Sequence, residues 1–323
     1  MSGFKMMAGA AALAFTASAV SAETVTVAYF LEWPTANQVA QVEETYQERM
    51  GVDVEWRAFG NGNEMTQAMA SGDVDIAFSQ GLVPFVVAVS NGLPLELVGV
   101  AVSYAEADNC VVHMDAGVTQ ENAAEALVGE TIATPIGNVT HYKLLRMLDH
   151  LGVNADDVNF VQMNGADAAV ALARGDVAVG CAFGGALQRM MEYGEPLMTA
   201  AEQEAIGIRV FDVVSVTSDF AAEHPDLLQA FMDVTDEANL AYAADPSAYV
   251  ETIAGAAGMD LAATENMLGM FSFPSSADQA SEAWLGGTVQ AFMKEVADFF
   301  VEQGQLDVAL DDYSSTVNAN FVN

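Results

Sequence analysis

Apolar and polar positions follow two rhythms that take turns along this chain. Alternating or continuous apolar runs at "TVTVAYF" (24–30), "VDVEWRAF" (52–59), "VDIAFS" (74–79) and "PLELVGVAV" (94–102) predict strands. Between them, helical spacing predicts helices over 36–50, 63–72 and 83–92, with Gly72 and Gly92 as stops. A second series repeats the plan. Strands are predicted at 109–114, 131–136, 158–163 and 177–183, and helices at 119–129, 139–152 and 167–176. "MASGDVDIAFS" in the first series and "LARGDVAVGCAF" in the second share one order: amphipathic helix, Gly stop, Asp, buried strand. After "IRVFDVVSVTSDF" (208–220) the pattern is mostly helical.

Short strands alternating with helices of about ten residues predict parallel sheets with helices on both faces. Two such series predict two α/β lobes. No Pro- or Ser-rich linker divides them, so strand crossovers are expected to act as the hinge. Ligands of such sheets bind beyond the carboxyl ends of the strands, which makes the cleft between lobes the default site.

With 323 residues, 52% apolar and 17% charged, the chain can bury a large core. Lys5, the run "MMAGAAALAFTASAV" and "SAVSA" before Glu23 have the order of a secretory signal, with cleavage expected after Ala22. The signal and the absence of a later apolar stretch of about 20 residues predict a soluble periplasmic protein. The formal net charge of −36 argues against a nucleic-acid partner. Cys110 and Cys181 would share an oxidising compartment; the sequence leaves open whether they form a bridge or two buried thiols.

Four places carry candidate binding chemistry. "TPIGNVTHYKLLRML" (134–148) is a strand, a turn and a helix start. Such a start presents unpaired N–H groups and a positive dipole end, and so holds an anion without a lysine. Asn138, Thr140 and His141 add side-chain donors, although the first two equally suit a simple cap. "FSQGLVPF" (78–85) is a second such junction, offering Ser79, Gln80 and Gly81, or else a plain turn. In "YFLEWPTA" (29–36), Trp33 reads as a pocket wall and Glu32 as a partner for an ammonium group, against a surface acid beside a packed Trp. Asp212 stands inside an apolar strand, where a charge is costly unless a cation or hydrogen-bond donors meet it. Phe183 and Tyr142 complete a possible aromatic lining.

Enzyme signatures are missing. The chain has no G-x-S-x-G, P-loop, G-x-G-x-x-G or H-E-x-x-H motif, and its four histidines lack metal-ligand spacing. No cofactor or metal is expected.

The order of "TVAYF", "VAQVEETY", "MASGDVDIA", "THYKLL", "FDVVSV", "DFAAEHPDLLQAFM" and "DYSSTVNANFV" resembles the taurine-binding proteins of ABC importers, over nearly the whole mature chain. These belong to a wider group that binds aliphatic sulfonates, nitrate and thiamine precursors. The resemblance implies a type II periplasmic binding protein fold: two mostly parallel sheets flanked by helices and joined by a two-stranded hinge. Residues 1–22 would be the signal, 23–108 with 214–323 the first lobe, and 109–213 the second. It also implies a monomer that captures a small molecule, taurine, for a membrane permease, with Asp212 on the amine. Other sulfonates, a betaine-like zwitterion or an organic cation remain alternatives, and a thiamine-precursor synthase-like enzyme is a further one. Two departures bear on the ligand. Leu82 and Val83 stand before Pro84 where taurine binders have a serine pair, and Phe183 is followed by Gly184 and Gly185 where they often have Trp and Pro.

Overall fold

The computed structural model describes residues 24–322, so the expected signal lies outside the described residues. Strands β1 (Thr24–Phe30), β2 (Asp53–Phe59), β3 (Ile76–Gly81) and β4 (Leu95–Tyr104) belong to one sheet. Strands β5 (Asp108–His113), β6 (Thr131–Thr134), β7 (Asn159–Gln162), β8 (Val179–Phe183) and β9 (Gly194–Pro196) form the other. Strand β10 (Val210–Thr217) returns to the first sheet, giving orders β2-β1-β3-β10-β4 and β7-β6-β8-β5-β9.

The two sheets share one plan. In the first, β10 runs antiparallel between β3 and β4; in the second, β5 runs antiparallel between β8 and β9. The remaining neighbours, β1 with β2 and β3 and β6 with β7 and β8, are parallel. Four strands in each sheet thus point one way and one is reversed. The reversed strand is in each case the one the chain reaches after crossing from the other sheet, so it enters from the opposite end. Asp108 opens β5, opposite Phe183 at the end of β8; Asp212 near the start of β10 lies opposite Gly81 at the end of β3. The reversal therefore sets an acid at the carboxyl end of each sheet.

Apolar strands and the inner faces of the helices bury a core that includes Val27, Ile76, Phe78, Val100, Val213 and Phe231 in the first sheet's lobe. The C-terminal helices pack back on this part of the chain: Ser272 pairs with Ser103, and Asn318 N–H donates to Leu97 O. The predicted helix 36–50 is two helices, Gln38–Val42 and Thr45–Met50, because the backbone enters the left-handed region at Glu44 (φ 59°) and interrupts the ladder. Tyr46 beyond the break is fully buried, stacked on Phe231 with its hydroxyl 2.9 Å from Thr235 Oγ1. Strand β9 was not visible in the pattern, since "GEP" has no alternation. Cys110 and Cys181 face each other across β5 and β8 and are bridged, with an S–S distance of 2.08 Å.

Candidate functional site

Three strand ends and the helix starts that follow them converge between the two sheets. Helix Val139–His150 begins after Asn138, whose backbone is extended and whose side chain makes no capping bond. Helix Leu82–Ser90 begins after Gly81, which has no side chain to cap with. Helix Gly62–Ser71 is capped by Asn61, which accepts from Glu64 N–H. Gly62, Gly81, Asn138, Val139 and Thr140 all border one cavity. Asp108 and Asp212 with Phe30, Trp33, Tyr104 and Phe183 complete its walls, Asp212 beside Gly81 in the first sheet and Asp108 beside Thr140. The void open to the centre of a water molecule is about 20 Å³, against the roughly 10–15 Å³ one water needs. Only a small occupant fits unless the sheets part.

Asp212 is the anchor of this wall. It is 2% exposed, accepts from Tyr104 Oη (2.8 Å) on one oxygen and from Ser79 Oγ (2.8 Å) on the other, while Trp33 Nε1 donates to Ser79 Oγ (2.9 Å). Burial pushes its pKa up to about 8, against the lowering effect of Tyr104 and Ser79. Its own burial, and after that the charge of Asp212, drive the Tyr104 phenol well above its usual range. Ser79 holds a left-handed backbone (φ 62°), a conformation that costs a non-glycine residue about 1–2 kcal/mol. Its two side-chain bonds fix it there, directly behind the carboxylate.

Asp108 sits at the equivalent point of the second sheet and is 1% exposed. Its Oδ2 accepts from Thr140 Oγ1 (2.7 Å), but its Oδ1 has no partner among the described residues. Burial raises its pKa to about 6, with Lys143 and Thr140 opposing. Lys143, itself buried and shifted down by desolvation, donates to the backbone carbonyls of Ala105 and Asp108 rather than to the carboxylate. It ties the crossover to the helix that starts at Val139.

The predicted residues divide clearly by placement. Trp33, Gly81, Asn138, Thr140, Phe183 and Asp212 border the cavity. Thr140 spends its hydroxyl proton on Asp108, and Asn138 accepts from Gly62 N–H (3.0 Å) across the cleft. Ser79 stands one bond behind the wall. Three residues are not brought there. Glu32 forms a two-bonded ion pair with Arg189 (2.7 and 2.9 Å) between the sheets, so its charge is already met. Gln80 is bonded to Thr66 and Ser215 inside the first lobe. His141 packs on Phe160 and Phe300, its Nδ1 accepting from Gly137 N–H and its pKa lowered by burial to about 4. The helical period explains this: position 141 lies on the far face of a helix whose start faces the cavity. Tyr142, also outside the cavity, packs on Phe299 and Phe300.

Asp108, Tyr104 and Phe30 were missed. An Asp at a strand start reads as a loop acid, and only the internal repeat pairs it with Asp212. Direct bonds also cross the cleft: Asn61 Nδ2 to Asn164 Oδ1 (2.6 Å), Asn164 Nδ2 to Glu64 Oε1 (3.1 Å) and Asn63 Nδ2 to Ile136 O (2.8 Å).

A model of the family described as NMT1/THI5 like matches residues 36–249. The chain belongs to the NMT1/THI5-like family. This family member is 30% identical over 318 residues to the taurine-binding periplasmic protein of Escherichia coli (strain K12), covering 97% of each chain. Among solved structures it resembles the alkanesulfonate-binding protein SsuA from Xanthomonas axonopodis pv. citri bound to MOPS, with a TM-score of 0.75, 20% identity and coverage of 92% of this chain and 98% of that one. It also resembles the desulfurization enzyme DSZB, with a TM-score of 0.64, 16% identity and coverage of 93% and 98%. The two-sheet architecture of this NMT1/THI5-like chain is that of periplasmic binding proteins.

Proposed function

We propose that this protein is a periplasmic solute-binding component of an ABC importer that captures taurine, a small zwitterion, between two lobes and delivers it to a membrane permease. One observation carries the reading: one small cavity is bordered both by uncapped helix starts and by the buried carboxyl group of Asp212. The helix starts suit the sulfonate and the acid suits the ammonium, so the two ends of a zwitterion are met by opposite features of the same void. The similarity to the taurine-binding protein of E. coli supports the ligand class and the compartment. Contacts from both sheets favour the closed arrangement when the ligand is present, which is a population shift set by differential affinity. The lobes would follow the two sheets, with the chain entering the second at Asp108 and returning to the first at Val210, and the protein would act as a monomer.

In this reading no bond is made or broken. The cavity walls carry no Ser, Cys, His or Lys, and both cysteines are bridged; the one aliphatic hydroxyl there, Thr140, holds Asp108 in place by its hydrogen bond in this reading. The likeness to DSZB keeps an enzyme as the rival. Turnover of a sulfonate or sulfinate by purified protein would favour it.

A thermal-shift panel of taurine, hypotaurine, isethionate, longer alkanesulfonates and glycine betaine tests the ligand. Taurine at 100 times its dissociation constant should stabilise the protein by about 2.7 kcal/mol, a shift of several degrees. A rise with betaine and none with taurine would overturn the ligand and leave the class standing.

Binding is also expected to release protons. With burial raising its pKa to about 8, Asp212 is mostly protonated in the unliganded protein at pH 7. An ammonium beside it favours the carboxylate, so affinity should rise with pH through about 8 and fall again where the ligand's own amine loses its proton. Calorimetry in buffers of different ionisation enthalpy should find close to one proton released at pH 7; none released would mean that Asp212 does not meet the cation.

A further inference from the structure

The reading just given assigns Asp212 to the ammonium and leaves Asp108 without a role. Yet Asp108 borders the same cavity from the other sheet, is 1% exposed, and has one carboxylate oxygen with no partner among the described residues. A buried carboxylate oxygen with no donor is costly, and the nearest cation, Lys143, is committed to backbone carbonyls. We propose that Asp108 Oδ1 is a second seat for the ligand's ammonium, so that the site selects primary-ammonium zwitterions and rejects N-methylated ones. This inference rests on the function proposed above.

The count of donors and acceptors supports it. A primary ammonium has three N–H donors. Each oxygen of Asp212 already accepts one bond, from Tyr104 or Ser79, and has capacity for one more. Asp108 Oδ1 supplies the further acceptor, from the opposite lobe. A quaternary ammonium donates nothing and would leave that oxygen unmet, even though Trp33, Phe183 and Tyr104 offer it aromatic faces. Because Asp212 belongs to one sheet and Asp108 to the other, a shared ammonium also draws the lobes together at its own position. The helix starts alone do not require this, since Asn138 is already bonded across the cleft to Gly62.

The test uses the full mature protein and calorimetric titration with taurine, N-methyltaurine, N,N,N-trimethyltaurine and isethionate. In the unaltered protein, affinity should fall about 10-fold on the first methylation and more than about 100-fold for the trimethyl compound. Asp108→Asn, which keeps an acceptor for Thr140, should weaken taurine about 10- to 30-fold, change isethionate less than about 3-fold, and shrink the methylation penalty. A merely structural Asp108 would lower the melting temperature and weaken all four ligands alike. Tight binding of trimethyltaurine by the unaltered protein overturns the inference without any variant, as does an unchanged methylation penalty in Asp108→Asn. Failure of every sulfonate to bind the unaltered protein would instead overturn the proposed function, and this inference with it.

Discussion

Asp212→Asn is expected to weaken taurine about 100-fold at pH 7 while leaving isethionate, which lacks the amine, within about 3-fold. The substitution keeps an acceptor for one of Tyr104 and Ser79 and turns an amide NH2 to the other, whose hydroxyl oxygen can accept from it, so the wall keeps its shape and loses its charge. Removing one partner of a buried charge pair costs about 2–5 kcal/mol. Part of that is already offset at neutral pH. With its pKa near 8, the native acid must give up a proton to meet the ammonium, which costs about 1.4 kcal/mol at pH 7 and little at pH 9. The ratio between native and variant should therefore widen about tenfold between pH 7 and pH 9. Calorimetric affinities for both ligands at the two pH values check it. Equal losses for taurine and isethionate would make Asp212 a structural acid.

Gly184→Val should act without regard to the amine. Gly184 follows β8 of the second sheet with a left-handed backbone (φ 61°), and a Cβ there would lie 2.3 Å from the backbone oxygen of Glu32 on the other side of the cleft. That oxygen also accepts from Gly185 N–H (3.2 Å), so the two backbones touch where the lobes meet. A side chain cannot fit without separating them, because the obstacle is main chain rather than a movable side-chain tip. The variant should keep both sheets and lose the closed arrangement. Taurine and isethionate should both weaken about 100-fold or more, and small-angle scattering should show no contraction on adding ligand. Normal contraction and affinity would mean that this arrangement of lobes is not the one that binds. The two variants thus separate recognition of the cation from closure itself.

Much of the architecture was legible because strands and helices in this chain have clean and different periods. The repeated "GDVDIAFS" and "GDVAVGCAF" phrases even announced two similar sheets. Strand direction was not legible. Nothing in "NCVVHM" or "RVFDVVSV" says that β5 and β10 run against their neighbours, because direction follows from where the chain enters a sheet. For the same reason Asp212 stood out and Asp108 did not. An acid inside an apolar run is visible in sequence, whereas an acid at a strand's first residue becomes buried only when a second sheet closes over it. Glu32 and Trp33 show the converse. They are adjacent in sequence, yet Trp33 faces the cavity and Glu32 turns to Arg189. A positive φ of 54° at Glu32, which no pattern reveals, separates them.

The covalent bond between Cys110 and Cys181 lies wholly within the second sheet, so rotation of one sheet relative to the other stretches no cross-link. Its redox state therefore leaves the opening motion free. It does hold β5, however, two residues from Asp108. Protein produced in a reducing cytosol would carry two thiols at this point, with the strand that presents Asp108 less firmly fixed. Ligand affinities measured on such material should understate those of the oxidised form.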